Sequence, residues 1–135
     1  MNDSFDNCHS SAIRLLLIDD EKDFVNILSK RMQRRNIEVA KAFSGAEAIR
    51  ALRSREFDVA VLDLKMEDMD GIEVLKILKI MDPHLVVIML TGHGSAEAAE
   101  QGLKLGAFDY LTKPCELEEL LKKISEAYAH RKQIE

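Results

Sequence analysis

Strand-length apolar runs alternate with helix-period segments along nearly the whole chain. The runs fall at residues 14–18, 38–43, 58–62, 85–90 and 108–111. Between them, apolar residues recur at helical spacing: Phe24, Ile27, Leu28 and Met32; then Ala46, Ile49 and Leu52; then Ile72, Leu75 and Leu78. A fourth segment, 95–105, is rich in small residues, and a fifth sets Leu117, Leu120, Leu121, Ile124 and Tyr128 on one face. This alternation specifies βα units. The runs at 14–18, 58–62 and 85–90 are continuously apolar, as parallel strands covered by helices on both faces are. The fold expected is α/β, a (βα)5 doubly wound sheet of five parallel strands. Punctuation agrees: Ser44 and Ser95 stand as N-caps, Asn36 and Gly106 near helix ends, and Asp82-Pro83 breaks the chain before the fourth strand. A leucine-rich solenoid has a similar period, but its internal leucine and asparagine spacing is absent.

At 135 residues the chain suits one domain, read as a polar leader over 1–12, a folded unit over 13–131 and a short tail over 132–135. A hydrophobic share of 47% against 32% charged residues gives enough apolar surface for a core. The net charge of −5 argues against direct nucleic-acid binding, since surfaces that track phosphate are basic. The longest apolar run, 85–90, is far short of the ~18 residues that span a bilayer, and the leader is acidic where a signal peptide is basic. A cytoplasmic location is expected. Cys8 and Cys115 match neither a disulfide framework nor a metal spacing, and His9, His84, His93 and His130 are scattered without the company of a zinc site.

Ligands of open parallel sheets collect beyond the carboxyl ends of the strands. There the sequence places Asp19, Asp20 and Glu21 after the first strand, Asp63 at the end of the third, Thr91 and Gly92 at the end of the fourth, and Thr112, Lys113 and Pro114 after the fifth. Carboxylates 4 Å apart repel by about 4 kcal/mol at an effective dielectric near 20. A cation is the natural remedy. Asp19, Asp20 and Asp63 offer the hard oxygen donors that Mg²⁺ takes. Thr91 and Lys113 can donate to phosphoryl oxygens, and Asp63, central among them, can act as a nucleophile that forms an acyl phosphate.

The segments "LLIDDE", "VAVLDLKM" followed by "MDGIEVL", "VVIMLTGHG" and "GAFDYLTKP" together resemble the receiver domain of two-component response regulators, over about residues 13–130. The resemblance implies a flavodoxin-like sheet with strand order 2-1-3-4-5. It implies that Asp63 accepts a phosphoryl group from a sensor histidine kinase. Asp19, Asp20 and Asp63, with the Lys65 carbonyl, would hold Mg²⁺, Asp20 more directly than Asp19. Thr91 and Tyr110 correspond to the hydroxyl and the aromatic that move on activation, and the Lys113-Pro114 bond to a cis peptide. The partners implied are the kinase and a downstream target or output domain, with a homodimer on the fourth and fifth helix face when phosphorylated. The segment 91–114 looks like that of receivers preceding transcription activators. An isolated N-terminal receiver of such a regulator and a phosphorylation-independent module are the readings kept beside the switch.

Some positions depart from the family pattern. Glu67 stands where proline is usual, which removes a φ restraint, and Lys65 sets a long cation near the site. Cys115, where an aromatic is frequent, reads as a packing substitution. Blander roles compete at single positions: the acidic pair can cap a helix N-terminus, with Asp20 able to do both, Tyr110 can be core packing, and 30–36, "KRMQRRN", reads as the solvated face and end of a helix. His93 receives no role. A haloacid dehalogenase-like enzyme would need a second aspartate two residues after the first, where this chain has Lys65. A nucleotide or flavin binder would need glycine or hydroxyl groups in the first loop, where Asp19, Asp20 and Glu21 stand.

Overall fold

In the computed structural model, described for residues 12–92 and 96–134, five βα units follow one another. They are β1 (Ile13–Ile18), α1 (Lys22–Gln33), β2 (Ile37–Ala42), α2 (Gly45–Ser54), β3 (Val59–Asp63), α3 (Gly71–Met81), β4 (Val86–Thr91), α4 (Ala96–Lys104), β5 (Asp109–Thr112) and α5 (Leu117–Ile134). All strand pairs are parallel, and the sheet order is β2-β1-β3-β4-β5. This is the doubly wound, flavodoxin-like 2-1-3-4-5 arrangement.

Alternate strand residues feed two cores. Leu15, Leu17, Val59, Val61, Val86 and Ile88 face α1 and α5, where Val25, Met32, Leu120 and Ile124 are buried. Leu16, Ile18, Ala60, Leu62, Val87 and Met89 face α2 and α3, where Ala48, Val74, Leu75 and Leu78 are buried. Burial on both faces explains why the central strands carry no polar alternation. The small-residue segment of α4 has a packing reason, since a Cβ on Gly102 would run into the Met89 side chain.

Local signals account for the helix ends. The Ser44 hydroxyl accepts the Glu47 N–H and opens α2. Asn36 and Gly106, at φ 63° and 107°, turn the chain out of α1 and α4 through the left-handed region. Ser95, the cap expected for α4, lies outside the described residues, as do residues 1–11 of the leader and His93. No break falls at 131: α5 continues to Ile134, so residues 132–134 are helix where a tail is expected. Arg131 is buried and turned toward Asp58 and Asp82.

Strands three to five begin and end one residue later than the apolar runs, so the ladder ends on the polar Asp63, Thr91 and Thr112. At the opposite end, Asp58 precedes β3 as a buried carboxylate. It accepts hydrogen bonds from the Arg14 N–H at 2.9 Å and from the Arg14 guanidinium at 2.8 and 3.2 Å. Hydrophobic patterning reads Asp58 only as a strand start and misses this pair.

Candidate functional site

The first, third and fifth strands deliver the residues at or just after their carboxyl ends to one edge of the sheet. Asp19, directly after β1, is fully buried. Its carboxylate accepts the Glu21 N–H at 3.0 Å and the Lys113 ammonium at 2.9 Å. Asp20 is half-buried, and its carboxylate accepts the Glu67 N–H at 3.1 Å. The acidic pair therefore divides its work: Asp19, not Asp20, binds the backbone at the start of α1. Asp63, the last residue of β3, is 5% exposed and accepts the Lys65 N–H at 3.2 Å. One oxygen each from Asp19, Asp20 and Asp63 lies within 4.8 Å of the others.

Lys113 follows β5 through a cis peptide to Pro114. Its ammonium meets Glu21 at 2.6 Å and Asp19 at 2.9 Å, stands 3.6 Å from Asp63, and sits over the Phe24 ring at 4.7 Å. Sequence reasoning missed Glu21 and Phe24 as partners of this lysine. Phe24 belongs to the apolar stripe of α1, which reads as core, but it lies in the first turn, where helix and site meet. Thr91 is buried, with its hydroxyl donating to the Leu111 carbonyl at 3.5 Å. Tyr110, on the edge strand β5, is 40% exposed. A cleft of about 440 Å³ opens over the site, lined by Asp20, Glu21, Asp63, Lys65, Met66, Glu67, Gly92 and Lys113.

The family model for the response regulator receiver domain matches residues 15–125. The chain belongs to this family. The transcriptional regulatory protein ZraR of Klebsiella oxytoca is 36% identical over 118 residues, which cover 87% of this chain and 27% of ZraR. The DNA-binding transcriptional regulator NtrC of Proteus hauseri is 37% identical over 115 residues, covering 84% of this chain and 24% of NtrC. The receiver thus spans about a quarter of the length of these curated relatives. Among solved structures, a response regulator receiver domain protein from Clostridium thermocellum superimposes with a TM-score of 0.87 at 33% identity, over 91% of this chain and 99% of that one.

The electrostatics of this receiver site are those of a cluster short of positive charge. Burial, against the pull of the Lys65 N–H and Lys113 and with the push of Asp19 and Asp20, raises the Asp63 carboxyl to about 6. Burial works against the Lys113 charge, but hydrogen bonds to Glu21 and Asp19, with the charge of Asp63, raise its pKa above the ordinary lysine value. One ammonium thus serves Asp19, Glu21 and Asp63, with Asp20 clustered beside them. Hard, convergent oxygens with a deficit of positive charge are the donor set that suits Mg²⁺. Cys115 is half-buried against the α1 and α5 core, and burial pushes its thiol up, as expected of a packing residue rather than a reactive one. Of the basic run, Met32 is buried and Arg35 pairs with Glu118 at 2.8 Å on the surface, a solvated helix end. No described helix is long and apolar enough to cross a membrane.

Proposed function

We propose that this receiver is a phosphorylatable switch in which Asp63 takes a phosphoryl group from a sensor histidine kinase. A carboxylate oxygen of Asp63 attacks the phosphorus of the phosphohistidine; the new P–O bond forms as the P–N bond breaks, and the imidazole leaves with the electron pair and takes up a proton. The observation that carries this reading is the position of Asp63. It is nearly buried at the end of a central strand, within 4.8 Å of Asp19 and Asp20 oxygens and 3.6 Å from the Lys113 ammonium. Asp19, Asp20 and Asp63, with the Lys65 carbonyl, would hold Mg²⁺, which supplies charge neutralisation for the transferring phosphoryl oxygens. Lys113 answers the charge that collects on those oxygens, and Glu21, Asp19 and the Phe24 ring keep its ammonium beside Asp63.

The Thr91 hydroxyl, now on the Leu111 carbonyl by a long bond, is free to exchange that weak partner for an oxygen of the acyl phosphate. Tyr110, one residue before Leu111 and part-exposed, follows, and the face of α4 and β5 changes its partners. A phosphorylation-linked homodimer on the α4 and α5 face, a downstream target and an output domain are the readouts proposed. This domain makes no direct nucleic-acid contact of its own. The reducing cytoplasm suits a chain with two cysteines and no disulfide framework.

Intact mass after incubation with acetyl phosphate and Mg²⁺ tests the reading, beside Asp63→Asn and a chelator control. The expected result is one phosphoryl group added to the wild type only when metal is present. Equal phosphorylation of Asp63→Asn would overturn it.

A further inference from the structure

Residues 64–70 join β3 to α3 and form one wall of the cleft, and they lack the proline that would stiffen them. They are held instead by their neighbours. The Lys65 N–H bonds the Asp63 carboxylate, Lys65 and Asp70 form an antiparallel bridge, and the Gly71 N–H bonds the Leu64 carbonyl at 3.1 Å. That approach is close enough for a Cβ on Gly71 to strike the Leu64 backbone. The outer part of the loop is pinned across the fold. The Asp68 carboxylate accepts the N–H groups of Gly45 at 3.0 Å and Ala46 at 3.2 Å, the first two residues of α2. Ser44 satisfies the N–H of Glu47, so Asp68 supplies partners that the helix's own cap does not. One residue earlier, the Glu67 N–H donates to the carboxylate of Asp20.

We propose that Asp68 is a positioning residue for the metal site: by gripping the N-terminus of α2 it fixes the loop, so that the Glu67 N–H orients the Asp20 carboxylate toward the shared cluster. The inference rests on the Mg²⁺ reading above. Hydrogen bonds to a metal-ligating carboxylate hold its rotamer before the ion arrives, and losing such a partner typically weakens metal binding by about 10- to 100-fold. Asp68 touches no ligand itself and acts through the backbone of Glu67. Met69 also lies close against Gly45.

The test is calorimetric titration with Mg²⁺ alone, with no phosphodonor, alongside thermal melts with and without the ion. Asp68→Ala is expected to bind Mg²⁺ about tenfold more weakly, and Asp68→Asn, which keeps one acceptor oxygen, less so. Glu67→Pro should lose affinity as Asp68→Ala does, because proline has no N–H, while Glu67→Ala keeps its N–H and should bind more tightly than Glu67→Pro. Both lack the Glu67 carboxylate, so they differ in the N–H and in the φ that proline fixes. If the wild type binds and Asp20→Asn does not, yet Asp68→Ala binds within about twofold of wild type and melts lower by the same amount with or without Mg²⁺, Asp68 is only a helix cap and the inference falls. Equal binding by Glu67→Pro and Glu67→Ala would also overturn it. A wild type that takes up no Mg²⁺ would remove the metal reading itself.

Discussion

Asp63 is costly to ionise where it stands, because burial and two acidic neighbours outweigh one lysine. The folded chain therefore holds its proton more tightly than the unfolded chain. Its contribution to stability is present below 3.8 and lost as pH rises through about 6. In chelator at pH 7, Asp63→Asn should melt higher than wild type by on the order of 2–3 kcal/mol of stability, and the gap should close toward pH 4. Melts of both proteins across that range check this, and a lower midpoint for Asp63→Asn at pH 7 would contradict it. The acids, Thr91 and Lys113 were legible in the sequence because each directly ends or follows a strand, where ligands of this architecture gather. The pairing of Glu21 with Lys113, and the parts of Phe24 and Asp68, were not. Phe24 is disguised by the apolar stripe it shares with α1. Asp68 has meaning only through α2, more than twenty positions away in sequence.

The elements themselves were legible to within a residue or two, since a doubly buried strand has to be apolar throughout and a helix over it has to repeat its apolar face. What patterning could not show was how α5 is fastened. Its buried Arg131 and the half-exposed Arg14 converge on Asp58, and α5 runs past the expected boundary to Ile134. Burial raises the Asp58 carboxyl, but the Arg14 hydrogen bonds and the Arg131 charge prevail and hold it below the usual carboxylate range. That stability is present above 3.8 and lost as pH falls through the lower folded value. Asp58→Ala leaves the guanidinium of Arg131 inside without this partner and should cost about 3 kcal/mol in urea denaturation at pH 7. A loss below about 0.5 kcal/mol would show that the pair does not anchor the helix. Leu62→Ala, in the α2 and α3 core, should cost about 2–5 kcal/mol by the same assay.

At the scale of the whole molecule, the chemistry sits at one edge of the sheet and the proposed readout at another, with Thr91 and β5 between them. Coupling of this kind is typically about 1–3 kcal/mol. Tyr110→Ala should therefore accept phosphoryl groups at nearly the wild-type rate but lose most of the difference in partner capture between the beryllofluoride-bound and free forms. If Tyr110→Ala kept that difference, the switch would run by another route. The choice of kinase and target in the proposed switch would be written in exposed helix faces, where a single sequence carries no periodic signal to decode. The central claim is chemical and can be read at one atom. After treatment with acetyl phosphate and Mg²⁺, borohydride reduction converts an acyl phosphate at an aspartate to homoserine, and peptide mapping then locates it. Homoserine is expected at Asp63 and at no other aspartate; an unchanged Asp63 in a protein whose mass shows a bound phosphoryl group would contradict this assignment.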